Sequence, residues 1–214
     1  MGVVRAAVFD FNGTLSQDEA ILFSIYREMF AARGRPLSAA EYYGTLAGLS
    51  EEAIIGSWLG VEGEELAALV AERIERFRDV VADGSTVPEH VRDAVRCAAE
   101  RVPVGLVSSA FREEIEPVLA AAGIAPLFRA LVTADDVSTG KPAPDGYVEV
   151  LRRLGGLRGD VVVAFEDTEA GVAAAKVAGL RCVAVLGTLP RERLAAADEI
   201  VDEIDPSLMR RLLA

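Results

Sequence analysis

From residue 88 onward, short apolar runs alternate with helix-patterned stretches, and this rhythm restricts the chain to few architectures. Runs rich in β-branched residues and bounded by turn formers predict strands at Val102–Ser108, Ala130–Thr133, Val161–Phe165 and Arg181–Val185, with a weaker pattern at Glu199–Val201. The intervening stretches predict helices over 89–100, 112–122, 145–154, 169–178 and 207–213, with a shorter one near 191–197. Gly123, Gly155 and Gly179 each stand where a helix should stop, a position that favours a residue without Cβ. Strand and helix in alternation imply a parallel sheet covered by helices on both faces, and right-handed crossovers leave few windings. A further apolar run, Val3–Phe9, supplies an early strand. In doubly wound parallel sheets ligands bind beyond the carboxyl ends of the strands, near the point where strand order reverses.

Residues 16–82 follow a different pattern, with no convincing strand. Ile21, Leu22, Ile25, Met29 and Phe30 share one helical face, as do Leu66, Leu69, Val70, Ile74 and Phe77, and such stripes are expected to pack among themselves. Ser38-Ala39-Ala40-Glu41 reads as a capping box, and Ser50 before Glu51-Glu52 as a further cap. Asp83-Gly84-Ser85 breaks the pattern and marks a return linker. The expected organisation is therefore an α/β domain from residues 1–15 and 84–214, interrupted by a helical domain over 16–83. With 214 residues and 51% of them hydrophobic, the chain is long and apolar enough for both. No run approaches the roughly 18–20 apolar residues of a membrane span. Cys97 and Cys182 have no metal-type spacing and read as inert core thiols, and no export signal is visible, so a cytoplasmic location is expected. The net charge of −12 argues against nucleic acid and anionic membranes as partners. Oligomeric state is not readable.

Four of the expected strands lead into polar groups. Asp10 ends the first, Ser108-Ser109 the second, Lys141 follows the third, and Glu166-Asp167 ends the fourth. Singly, these residues read as a helix cap, a solvated lysine or acids facing water. Together, at the ligand-binding ends of one sheet, they suit an oxygen-ligated cation and an anionic substrate. Lys141 and Lys176 are the only lysines, so positive charge for such a substrate must come from few groups.

In order and context these positions resemble the four motifs of the haloacid dehalogenase (HAD) superfamily. Asp10-Phe11-Asn12-Gly13-Thr14 is similar to its first motif (Asp, any residue, Asp, Gly-Thr), with Asn12 in place of the second acid. Ser108 resembles motif II, Lys141 within Gly140–Asp145 motif III, and Phe165–Gly171 motif IV. The Lys-Pro-x-Pro and Glu-Asp-Thr-x-x-Gly forms look like the subfamily with a helical cap inserted after motif I, as in β-phosphoglucomutases and small-molecule phosphatases. The resemblance implies an α/β, Rossmann-like, doubly wound core with an inserted α-helical cap domain, and a Mg²⁺-dependent phosphomonoester phosphatase acting on a small phosphorylated metabolite. It implies that Asp10 attacks phosphorus to give a phosphoaspartate. Mg²⁺ would lie among Asp10, the Asn12 main-chain carbonyl and Asp167, with Glu166 as ligand or just beyond. Ser108, Ser109, Gly13 and Thr14 would bind the phosphoryl group, and Lys141 would neutralise both it and the nucleophile. Phosphoryl transfer depends on such positioning and charge neutralisation.

Asn12 is the departure. In family phosphatases the second acid protonates the leaving group and then activates water, and an amide has no titratable proton to move. General acid–base catalysis contributes roughly 10²–10⁴-fold, so slow turnover is expected. The alternative is a phosphate-ester binding or regulatory protein with vestigial catalysis. Asp18 and Glu19 are the nearest substitute acids, though both are expected to cap or face solvent at the start of the first inserted helix. Other branches fit less well. Dehalogenases use no metal, leaving Glu166-Asp167 unexplained, and phosphonatases need a cap lysine that residues 16–83 lack. Mutases carry a cap histidine and arginine, whereas the only histidine, His90, opens a core helix and Glu51 stands where the arginine is expected. Few cap positions offer cationic help to a substrate; Arg27, Arg33 and Arg35 are the candidates, and solvent exposure is their expected state.

Overall fold

A computed structural model describes residues 3–214. Its strands are β1 (Ala6–Phe9), β2 (Val104–Val107), β3 (Phe128–Val132), β4 (Val162–Glu166), β5 (Arg181–Val185) and β6 (Glu199–Val201). They form one parallel sheet in the order β3-β2-β1-β4-β5-β6. Helices α1 (Glu19–Ala31), α2 (Ala39–Glu41), α3 (Glu51–Leu59), α4 (Gly63–Val81) and α5 (Glu89–Ala99) all lie between β1 and β2 in the chain. After them, α6 (Arg112–Ala121), α7 (Asp145–Arg153) and α8 (Glu169–Val177) are the crossovers to β3, β4 and β5, and α9 (Pro206–Leu212) follows β6. This is the α/β, doubly wound parallel architecture expected from the strand–helix rhythm.

The period-2 alternation of a strand buried on both sides explains the two-faced core. Ala7 and Phe9 of β1 join an apolar cluster with residues of α5, α6 and α9, and Ala6 and Val8 join one with residues of α7 and α8. Phe9 stacks on Phe165 of the neighbouring strand with ring centroids 4.7 Å apart. The first strand is shorter than the apolar run suggested, because Val3 is 76% exposed and pairing begins at Ala6. The short helix expected near 191–197 is a 3₁₀ turn at Arg191–Leu194.

The inserted helices follow their local signals. Ser38 and Glu41 form the reciprocal capping box, and the Ser50 hydroxyl accepts the Ala53 N–H. Glu64 and Glu65 open α4 and Arg78 lies in its last turn, each complementing the helix dipole. A π-helical turn at Tyr42–Leu46, unmarked by any residue pattern, follows α2 and buries Tyr42. The apolar stripes of α1 and α4 pack together, and their cluster continues through Leu15, Val81 and Ile115 to the Phe9 face of the sheet. Cys97 and Cys182 are buried free thiols. Among the described residues no helix is long and apolar enough to cross a membrane.

Candidate active site

Strand order reverses between β1 and β4, and the pairing of Phe9 with Phe165 brings the next residues, Asp10 and Glu166, side by side at the strand ends. The Asp10 N–H donates to the Phe165 carbonyl at 3.0 Å. Lys141, from the loop before α7, contacts the Asp10 carboxylate and lies 2.6 Å from Glu166 Oε1. The same Glu166 oxygen accepts the Tyr147 hydroxyl at 2.5 Å. Asp167 follows directly, and its Oδ1 accepts the Thr14 hydroxyl at 3.3 Å. One carboxylate oxygen from each of Asp10, Glu166 and Asp167 falls within 4.8 Å of the others.

Three buried acids against one lysine leave this cluster short of positive charge. Burial pushes the Asp167 carboxyl well above the usual carboxylate range, and the Asp10 charge adds to the effect. Burial likewise lifts Glu166 to about 7 against the pull of Lys141. Burial opposes the Lys141 ammonium, yet Asp10 and Glu166 hold its proton above the ordinary lysine range. Glu166 Oε2 and Asp167 Oδ2 are buried with no hydrogen-bond partner. Orphaned carboxylate oxygens are costly unless a cation uses them, and an all-oxygen donor set is what Mg²⁺ prefers. The residues present therefore fit a hard divalent ion.

Two glycines keep this space open. Gly13 has φ 72°, and a Cβ there would overlap the Asp167 carboxylate and the Thr188 hydroxyl. A Cβ on Gly171 of α8 would overlap the Glu166 carboxylate. Gly13 thus clears a carboxylate as well as turning the chain.

Asp10, Asn12, Ser108, Ser109, Lys141 and Asp167 line one small cavity, closed from the inserted helices by Glu19, Tyr26, Tyr42 and Glu51. Its volume is about 40 Å³, room for roughly a few waters. Gly13 and Thr14 do not line it but face Asp167 from the other side, along a neighbouring cavity. Ser108 is not the cap of α6, whose N-cap position is Phe111; its hydroxyl accepts the Ala110 N–H at 3.1 Å. The Ser109 hydroxyl is buried without a partner at the cavity wall.

Asn12 and the two acids after it depart from expectation. The Asn12 amide donates to Asp18 Oδ2 at 3.1 Å. Asp18 neither faces solvent nor caps α1 through its side chain: it is 0% exposed, and burial drives its carboxyl well above the ordinary range. Glu19 is half-buried and lines both this cavity and the neighbouring one beside Gly13 and Thr14. Its carboxyl accepts the Tyr42 hydroxyl at 3.1 Å, and burial, with Asp10 and Glu51 nearby, lifts it to about 7. Arg27, Arg33 and Arg35 are exposed and line none of this cavity. His90 lies on α5, 3.9 Å from Glu203, away from Asp10 and Lys141.

A second buried ionic group escaped sequence reasoning. Arg73 of α4 is 0% exposed and pairs with Glu51 of α3 and Glu114 of α6, while the Tyr26 hydroxyl donates to Glu51. Arg73 sits within the apolar stripe Leu69-Val70-Ile74-Phe77, and a charge at that spacing was the available signal. Tyr147 was legible only as a core position of α7, since periodicity does not say what a phenol hydroxyl meets.

A family model described as haloacid dehalogenase-like hydrolase matches residues 4–179. A validoxylamine A 7'-phosphate phosphatase from Streptomyces hygroscopicus subsp. limoneus is 32% identical, over 94% of each chain. The crystal structure of CbbY from Rhodobacter sphaeroides in complex with xylulose-(1,5)bisphosphate superposes with a TM-score of 0.83 at 28% identity, covering 94% of this chain and 95% of that one. β-Phosphoglucomutase from Clostridium difficile shares the fold, with a TM-score of 0.85 at 17% identity over 98% and 97% of the two chains.

Proposed function

The chain belongs to the haloacid dehalogenase-like hydrolases, and from that premise we propose that it is a Mg²⁺-dependent phosphatase of small phosphorylated metabolites. The observation that carries this reading is the grouping of Asp10, Glu166 and Asp167 around Lys141, with two carboxylate oxygens left without partners. Relatives named as phosphatases of phosphorylated small molecules support it.

Asp10 is the proposed nucleophile, attacking phosphorus to form a phosphoaspartate and so dividing hydrolysis into two easier displacements. Asp10, Asp167 and the Asn12 carbonyl would hold Mg²⁺, with Glu166 as ligand or just behind them. When bound, the ion supplies the positive charge that lets a carboxylate approach a phosphate. Lys141 holds the Asp10 carboxylate in place and offers charge to the transferring group. The Ser108 and Ser109 hydroxyls line the wall opposite and are the donors proposed for phosphoryl oxygens. Thr14 orients Asp167, and Gly13 leaves that carboxylate room. Helices α1–α4 form the proposed cap domain over residues 16–83. A ligand pocket usually measures roughly 300–1,000 Å³, and the neighbouring cavity of about 320 Å³ beside Ser108, Ser109 and Lys141 offers the room that the cavity of about 40 Å³ lacks.

Asn12 limits the rate. Leaving groups that need little protonation should turn over, whereas alkyl esters should be slow. The discriminating experiment is hydrolysis of p-nitrophenyl phosphate with and without Mg²⁺, in the wild type and Asp10→Asn. Metal-dependent turnover abolished by the substitution supports the reading. Turnover that survives Asp10→Asn refutes it, and calorimetric binding of phosphate esters without any turnover would favour a regulatory binding protein.

A further inference from the structure

The two halves of the cavity carry opposite chemistry. Its sheet side holds Lys141 and the serines, the groups suited to a phosphoryl group. Its helical side presents Glu19, Glu51, Tyr26 and Tyr42. A neighbouring cavity of about 320 Å³ shares Ser108, Ser109 and Lys141, and its residue from α3 is Glu52. Among the described residues Lys141 is the only cation lining either cavity, and it is already engaged by Asp10 and Glu166.

The buried arginine behind the helical wall adds nothing to an incoming anion. Arg73 is fully buried behind Glu51, and its single charge is divided between Glu51 and Glu114. Arg33 is drawn outward to Glu72. Proteins that hold a carboxylate or a second phosphate characteristically do so with an arginine fork, and none faces this space. Glu19 differs from Glu51 in having acceptor capacity to spare. The Tyr42 hydroxyl is the one side-chain donor it meets, whereas Glu51 is held by Arg73 and Tyr26. An ionised carboxylate accepts up to about four hydrogen bonds and donates none.

We propose that Glu19, backed by Glu51, makes the leaving-group side of this site a charge filter: it takes phosphate monoesters whose leaving group is a neutral polyol or bears an amine, and rejects those bearing a carboxylate or a second phosphate. The inference rests on the phosphatase reading and names the substrate class for it. Specificity here is built as much from repulsion of the wrong ester as from attraction of the right one.

Three aryl phosphates of similar size test it: phenyl phosphate, 4-(aminomethyl)phenyl phosphate and 4-carboxyphenyl phosphate. All three place the phosphoryl group identically and differ in charge at the far end. The filter predicts kcat/KM about tenfold or more lower for the carboxylated ester than for phenyl phosphate, with the aminomethyl ester equal to or above it. Glu19→Gln should shrink the gap between the two charged esters several-fold. A carboxylated ester cleaved as well as phenyl phosphate, or a gap unchanged in Glu19→Gln, overturns the filter and leaves the phosphatase reading standing. Absence of metal- and Asp10-dependent hydrolysis of phenyl phosphate and of p-nitrophenyl phosphate instead defeats that reading, and the filter falls with it.

Discussion

The molecule holds two buried clusters in which a cation sits among carboxylates, and they are built to different degrees of completion. Around Arg73, the carboxylates of Glu51 and Glu114 are bound by the guanidinium, the Tyr26 hydroxyl and the Phe111 N–H. Both Glu51 and Glu114 are absent from the buried carboxylates left without a partner, and only Arg73 Nε is orphaned there. Around Lys141, three acids share one ammonium, and Glu166 Oε2 and Asp167 Oδ2 have no partner. The first cluster joins α3, α4 and α6 and is close to satisfied; the second sits at the strand-order reversal and lacks charge. A satisfied buried network fixes geometry, whereas an unsatisfied one marks where a ligand belongs.

Substitutions can break that contrast. The largest expected effect is Asp10→Asn, which removes the proposed nucleophile and should bring aryl phosphate hydrolysis to the buffer background while circular dichroism stays native. Next is Asn12→Asp, which restores a titratable group and should raise kcat on alkyl phosphates by roughly 10²–10⁴-fold. An unchanged rate there would show that another residue already moves the proton. Arg73→Met should leave the strand-end acids intact but cost about 3–5 kcal/mol in urea unfolding, because two buried carboxylates lose their cation. Loss of less than 1 kcal/mol would show that the cluster is open to water.

Mg²⁺ sharpens the contrast further. At about 100 times its Kd the ion should stabilise the wild type by roughly 2.7 kcal/mol, reversed by chelation. Asp167→Asn should abolish this stabilisation, and Arg73→Met should retain it. The smallest effect concerns pH. The Glu19 carboxyl, facing Tyr42, Asp10 and Glu51, titrates near 7, neutral below and charged above. Discrimination against the carboxylated aryl ester should therefore widen by a few-fold between pH 6 and 8, and Glu19→Gln should flatten that profile.

The sheet was legible because its signals are local and repeated. Five strands after residue 88 were expected and five formed, three with ends shifted by one or two residues and two at the expected bounds, and Gly123, Gly155 and Gly179 all take positive φ. Asp10, Lys141, Glu166 and Asp167 were legible because strand ends concentrate polar groups that a buried sheet tolerates only for a reason. Contacts between distant segments were not. The Asn12–Asp18 hydrogen bond, the reach of Glu19 to the cavity and the Arg73 cluster depend on how helices meet the sheet and each other, which periodicity leaves open. Asp18 illustrates the limit: its place before α1 leads one to expect a cap or a solvent-facing acid, yet its side chain makes no capping bond and lies buried against an amide.

Asp10 is the proposed nucleophile of a site equipped for phosphoryl transfer but impaired in the step that needs a proton shuttle. Stopped-flow measurement of p-nitrophenolate release with Mg²⁺ tests this assignment most directly. Attack by Asp10 on this ester needs little acid catalysis, whereas hydrolysis of the phosphoaspartate needs water activated without an acid at position 12. A burst approaching one p-nitrophenolate per chain is expected, then a slow steady state, with the phosphoryl group found on Asp10 by peptide mass spectrometry after an acid quench. Asn12→Asp should speed the slow phase and shrink the burst. Linear release from the first turnover, with no phosphoryl group on Asp10 in the quenched chain, would contradict the assignment.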